Sequence, residues 1–174
     1  MLGEGAVAVT IRDMTLADAA KAATWRYGGL WSVYDGRGDQ LEALTSANGY
    51  FAIAEVGTDA FVGYVCVGDE ARVLGLSEDP GVLDVGIGLD PAIVGRGMGQ
   101  SIAGPALRWA DGRYGAPEMR AVVQSWNERS LRLCHRLGFR VAGRHCVEQG
   151  GVMVEYVVSR RPAGRSATAA SECR

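Results

Sequence analysis

No apolar run in this chain approaches the roughly 20 residues that a membrane-spanning helix needs. Cysteine is sparse: Cys66, Cys134, Cys146 and Cys173 are scattered, with no paired ligand spacing and no secretory signal ahead of them. A disulfide framework and a zinc ribbon are thereby excluded, and reduced thiols in a cytoplasmic protein are expected. Histidine is scarcer still. His135 lies among arginines and His145 on a late strand, neither with an acidic or cysteine partner at ligand spacing, so no metal site is expected. A dominant charge of one sign is missing too. Eighteen Lys and Arg against 20 Asp and Glu give a formal net charge of −2, so neither nucleic acid nor a membrane surface is an expected partner. There is no internal repeat. What is present, 48% hydrophobic residues over 174 positions, suits a chain with a substantial core of its own. One domain is expected over residues 1–159. Residues 160–174, rich in Ser, Ala and Arg and without periodicity, are expected to be a disordered tail.

The most informative stretch runs from Val82 to Ala110. Val82, Leu83, Val85, Ile87 and Leu89 predict a buried strand, Asp90-Pro91 a turn, and Val94-Gly95-Arg96-Gly97-Met98-Gly99-Gln100 a glycine-rich entry into a helix. Such a turn leaves backbone N–H groups unpaired at a helix N-terminus, where the dipole favours negative charge. A phosphate or pyrophosphate is the expected ligand. The loop is not a Walker A motif, which needs Lys-Ser/Thr after its last glycine. It is not a dinucleotide fingerprint either, because Gly86-Ile87-Gly88 lacks the third glycine. Gly95, Gly97 and Gly99 stand at every second position, so successive N–H groups can converge on one anion as a nest does. A glycine turn with no ligand is the competing reading.

A second segment follows the strand expected at Met119 to Gln124. Asn127 is a good N-cap, Leu131, Cys134 and Leu137 recur at helical spacing, and Gly138 suits a helix end. With these two segments in this order, the sequence resembles the GNAT superfamily of acyl-CoA-dependent N-acetyltransferases over residues 7 to 158. That family's pyrophosphate loop reads Q/R-x-x-G-x-G/A and its later helix roughly N-x-x-A-x-x-L-Y-x-x-x-G-F. The resemblance implies acetyl-CoA as cofactor, held by Val94 through Gln100 and by Asn127 and Ser130. It implies an oxyanion-stabilising backbone amide near Ile87, Gly88 and Leu89. A homodimer follows from family habit alone.

Two positions depart from the family pattern. Val94 stands where Gln or Arg is usual, which leaves the backbone cradle but removes one side-chain contact. Cys134 stands where a Tyr often serves as general acid toward the leaving thiolate. Cys134 is therefore a candidate acid, with Ser130 one turn earlier as a substitute and packing as a small hydrophobe as the alternative. By resemblance, Asp84 is the candidate general base, on the same strand face as Gly86 and Gly88, whose missing side chains leave room for a ligand. A local structural role for Asp84 is the alternative. Arg129, Arg132 and Arg136 form a basic stripe, either a solvated face or a contact to a ribose phosphate.

The remaining pattern predicts strands at Ala6 to Ile11, Tyr50 to Val56, Phe61 to Val67, Arg140 to Glu148 and Val152 to Val158. Helices are expected from Thr15 to near Trp25 and around Gln40 to Ser46, and Pro105 is expected to kink the helix after the glycine loop. The expected fold class is α/β (α+β): a mixed, mostly antiparallel sheet of six to seven strands with helices on both faces. Between the first helix and the first hairpin lie Trp25, Tyr27, Trp31 and Tyr34. With Trp126 they are the candidate substrate-binding residues, since rings bury carbon and attract ammonium groups; core or interface packing is the alternative. The expected function is acetyl transfer to a primary amine of a small molecule or peptide, by direct attack in a ternary complex. No activated nucleophile with a base partner is apparent for a covalent route. A lysine-like amine is neutral in only about one molecule in two thousand near pH 7, so such an acceptor needs a deprotonation route. A non-catalytic acyl-CoA-binding module and a binder of other nucleotide phosphates are the competing functions.

Overall fold

The alternating apolar segments form seven strands in the computed structural model, which describes residues 7–164. They are β1 (Val9–Asp13), β2 (Tyr50–Glu55), β3 (Phe61–Val67), β4 (Val82–Leu89), β5 (Glu118–Gln124), β6 (Arg140–Gln149) and β7 (Val152–Pro162). The sheet order is β1-β2-β3-β4-β5-β7-β6, and every neighbouring pair is antiparallel except β4 with β5. That parallel pair is short. Its register holds only Val82↔Glu118, Leu83↔Met119 and Asp84↔Arg120. Beyond Asp84 the two strands run on, β4 to Leu89 and β5 to Gln124, without pairing to each other. The sheet therefore splits into a V at its centre, and the far edge of β4 has no strand to satisfy it.

Among the described residues three α-helices cover the sheet: α1 (Leu16–Ala23), α2 (Gly99–Tyr114) and α3 (Glu128–Arg136). Thr15 caps α1 through a reciprocal capping box with Asp18, which explains why the helix starts there. Opposite faces of β2 feed two separate clusters. Phe51 and Ile53 join Ile102, Ala106, Leu107 and Ala110 of α2, whereas Ala52 joins Ala22 of α1, Trp25 and Phe61. Helices thus lie on both faces, and burial of a side chain such as Ile102 or Leu107 contributes about 1.5–3 kcal/mol. α2 continues through Pro105, whose missing N–H removes one donor from the helix ladder.

Several expectations are corrected. Around Gln40 to Ser46 there is no α-helix: 3-10 turns occupy Gly38–Gln40 and Ser46–Asn48 instead. α1 ends at Ala23, so Trp25 lies beyond it. The first strand begins at Val9, and Ala6 lies outside the described residues. β7 extends to Pro162, which takes Arg160 and Arg161 out of the expected tail and into the sheet. Residues 165–174 of that tail lie outside the described residues.

Candidate active site

The split between β4 and β5 opens a cleft of about 740 Å³. Its walls are the free end of β4 from Val85 to Leu89, the β4–α2 loop, Ala121 to Val123 of β5, one face of α3, and the aromatic segment before β2. The volume is typical of a small-molecule or cofactor site.

At the apex of the V, Arg120 and Asp84 face each other across the last paired rung. Arg120 Nε donates to Asp84 Oδ1 at 2.6 Å and its second guanidinium nitrogen to Oδ2 at 3.0 Å, while Arg72 Nε also donates to Oδ2 at 3.0 Å. Asp84 is 2% exposed. Both oxygens are committed to guanidinium donors, and the residue does not line the cleft. This corrects the expectation of Asp84 as general base: the carboxylate braces the split. Gly86 and Gly88 line the cleft, but the space of their missing side chains is not open to a ligand. A methyl group at Gly88 would lie 2.4 Å from the Tyr64 ring, and one at Gly86 2.8 Å from Cys66 Sγ, so the missing side chains make room for Tyr64 and Cys66.

Where β4 leads into α2 the chain bends through Gly95 (φ 81°) and Gly97 (φ 79°), backbone that other residues rarely adopt. A methyl group on either would meet no atom within 4 Å. No side chain caps α2, whose N-cap is Met98. The first amides of the helix are therefore unpartnered by side chains beside the cleft that Gly95, Gly97 and Gly99 line, the arrangement that binds phosphate. Val94, Gly95, Gly97 and Gly99 line the cleft; Arg96 and Gln100 are exposed beside it, and Met98 turns into the core. Arg129, Arg132 and Arg136 line the cleft on α3, with Arg132 paired to Glu128 at 3.0 Å.

Asn127 is 4% exposed and ties two distant segments together. Its Oδ1 accepts from Ser130 N (3.2 Å) as the α3 cap and from Trp31 Nε1 (3.4 Å), and its Nδ2 donates to Tyr34 Oη (3.3 Å). Trp31 and Tyr34 belong to a 3-10 turn at Gly29–Tyr34 and pack on Trp126 with ring centroids 5.8 and 6.1 Å apart. Arg129 sits 4.6 Å over the Trp31 ring. Tyr27 Oη donates to the Leu89 carbonyl (2.8 Å). Tyr27, Trp31 and Tyr34 thus wall the cleft; Trp126, on which Trp31 and Tyr34 pack, does not line it, which corrects its expected place at the substrate. Nor does Trp25: it stacks on Phe61 (5.2 Å) and Tyr64 (6.0 Å) in the smaller core, which corrects its expected place at the substrate.

Cys134 and Ser130 both line the cleft. Burial pushes the Cys134 thiol up to about 11, and its neighbours are the core residues beneath α3. Such a thiol stays protonated, but giving its proton to a leaving thiolate of ordinary acidity is uphill. The sequence reading missed Tyr64, Cys66 and Glu70, which also line the cleft. Their only signal was the β2–β3 and β3–β4 register, which sequence alone does not supply.

The sheet thus splits at the parallel β4–β5 pair, and a glycine turn heads the helix that follows β4. A family model described as an acetyltransferase (GNAT) domain matches residues 8–140. The chain belongs to this family of GNAT acetyltransferases. No curated protein matches the sequence. Among solved structures, the fold is similar to a GNAT-family acetyltransferase from Bacillus anthracis (TM-score 0.71, 15% identity, covering 89% of this chain and 95% of that one). It is also similar to a phosphinothricin acetyltransferase from Sinorhizobium meliloti in complex with acetyl-CoA (TM-score 0.65, 20% identity, 92% and 91% covered). A third similar structure is a mutant spermidine/spermine N-acetyltransferase from Vibrio cholerae (TM-score 0.63, 15% identity, 90% and 95% covered).

Proposed function

We propose that this protein transfers an acetyl group from acetyl-CoA to a primary amine by direct attack within a ternary complex. The observation that carries the reading is the pairing of the split β4–β5 edge with the uncapped glycine turn at α2, in a chain of the acetyltransferase family. Acetyl-CoA is the cosubstrate; when bound, it supplies the acetyl group as an activated thioester. The backbone of Val94 to Gln100 holds its pyrophosphate, with Arg129 or Arg136 of α3 near enough to the cleft to balance phosphate charge. Amides on the unpaired edge of β4, those of Ile87 and Leu89 on either side of Gly88, stabilise the oxyanion that develops at the carbonyl. Asn127 keeps the cap of α3 and, through Trp31 and Tyr34, the aromatic wall in place. Cys134 packs rather than donates, and solvent supplies the proton to the leaving thiolate.

Calorimetric titration with acetyl-CoA, with dephospho-CoA and ADP as controls, tests the reading, followed by steady-state transfer to a panel of amines. Micromolar binding that requires the pantetheine arm is expected in the wild type, and Gly97→Glu is expected to abolish it by placing bulk and negative charge in the cradle. Unchanged affinity in that variant would remove the phosphate-site assignment. Binding with no transfer to any amine would favour the acyl-CoA-binding module instead.

A further inference from the structure

With Asp84 committed at the apex, the cleft still holds one carboxylate that no cation neutralises. Glu70 lies on a 3-10 turn, Gly68–Ala71, that leaves β3 and folds back over β4 so that Ala71 faces Gly86. The Tyr50 hydroxyl donates to Glu70 Oε2 at 3.1 Å. Among the described residues no Lys, Arg or His lies within ion-pair distance of Glu70; the nearby Arg72 is taken by Asp69 and Asp84.

Tyr50 and Cys66 pack beside Glu70, and the charged groups nearest to it in the chain, Asp69 and Arg72, pair with each other. Register places Tyr50 opposite Cys66 and Cys66 opposite Gly86, with Tyr64 opposite Gly88 in the next row of the same face. Tyr64 lies over Gly88, on the strand edge where the acetyl carbonyl is proposed to bind, and Tyr27 stands near by, bonded to Leu89 O. Arg129, Arg132 and Arg136 line the cleft from α3, and Glu70 lines it from the turn after β3. A carboxylate among tyrosine rings binds an ammonium group, by direct charge pairing and by attraction to ring faces.

Resting on the acetyltransfer reading above, we propose that Glu70 is the catalytic residue that binds the acceptor's ammonium and takes its proton, with Tyr50 as its positioning residue. The acceptor is accordingly a cationic primary amine with no anionic group beside its nitrogen. An ammonium sheds two protons on becoming an amide. The first passes to the Glu70 carboxylate and on to bulk water, leaving a neutral amine. The amine nitrogen then forms its bond to the thioester carbonyl carbon as the C–S bond breaks, and the second proton leaves with the thiolate, by way of solvent. A carboxylate next to the amine, as in an α-amino acid, would face Glu70 as a like charge.

Three probes separate the outcomes: spermidine, 2-phenylethylamine, and phenylalanine, which differs from the second by its carboxylate. Transfer to both amines and little to phenylalanine is expected. Glu70 is exposed, so Glu70→Gln leaves the fold intact. That variant is expected to lower kcat/KM for the amines by about 10²-fold or more, to weaken their calorimetric binding, and to leave acetyl-CoA affinity unchanged. Tyr50→Phe is expected to lower kcat for the amines with a smaller change in their KM and none in acetyl-CoA affinity. Equal use of phenylalanine and 2-phenylethylamine would overturn the proposal. So would wild-type kcat/KM in Glu70→Gln, or acetyl-CoA binding without transfer to either amine. Failure of the wild type to bind acetyl-CoA would instead remove the acetyltransfer reading, and this proposal with it.

Discussion

Asp84 shows how far a single residue can be read from its neighbours in the chain. Alternation places it correctly on the face of Gly86 and Gly88, because strand periodicity decides which side a residue takes. What meets it there is Arg120, 36 positions later, together with Arg72. No local pattern states that. The same limit applies to Trp25: its aromatic character is legible, but its stacking on Phe61 and Tyr64 depends on where α1 ends and how β3 pairs. Asp84→Asn is expected to act on stability first. Removing the charge leaves Arg120, 4% exposed, without its counter-ion, and breaking a buried pair in this way costs about 3–5 kcal/mol. Denaturant unfolding measures it. A variant with wild-type stability and reduced turnover would return Asp84 to the role of base.

Among the elements, the strands and the two motif-bearing helices were legible from their own periodicity, with a glycine turn ahead of α2 and an Asn cap on α3. Asn127, chosen as an N-cap from residue type and position, is the cap. The segment from Gln40 to Ser46 was misread as a helix; a few scattered apolar residues there do not make a stripe, and two short 3-10 turns form in its place. The three-rung length of the β4–β5 pair was not legible at all, since register between strands separated by a helix is set by packing. Asn127 has a second task that its position does not announce, holding the Gly29–Tyr34 turn against α3. Asn127→Ser keeps a capping oxygen but loses the reach to Tyr34 and Trp31. Near wild-type stability is expected, with faster amide hydrogen exchange confined to residues 28–35. Asn127→Ala is expected to lose about 1 kcal/mol in addition. Protection unchanged in both variants would mean that the aromatic packing alone holds the turn.

At the scale of the whole molecule, the cleft concentrates acids that burial keeps neutral. Burial and the charge of Glu70 push the Cys66 thiol up to about 12, burial pushes Cys134 to about 11, and burial first, then nearby acidic groups, raises the phenols of Tyr27, Tyr50 and Tyr64 above their usual range. In the unfolded chain a thiol ionises near pH 8.5 and a phenol near pH 10, to within about half a unit. Below about pH 7 these groups are protonated in both states and contribute no pH dependence. As pH rises from about 9 toward 11, the unfolded chain sheds protons that the native protein retains, so stability falls with rising pH. Thermal unfolding across that range is expected to show the decline, and Cys66→Ala to flatten it. A melting temperature constant to pH 11 would contradict these environments.

The seam at which the sheet splits also divides the chain in two along its length, because β1 to β4 and α2 all precede Pro117 and β5 to β7 and α3 all follow it. Residues 1–117 hold 15 acidic and 8 basic side chains, and residues 118–174 hold 5 acidic and 10 basic. The ion pairs Asp84–Arg120, Asp79–Arg160 and Asp111–Arg161 all cross the seam with the acid before it and the arginine after it. The molecule is in this sense an internal heterodimer whose two partners, of opposite charge, happen to share a backbone. The cleft belongs to neither partner alone. Whatever fills it is therefore an adhesive between the two, and how firmly the protein holds itself together becomes a reading of how full the cleft is.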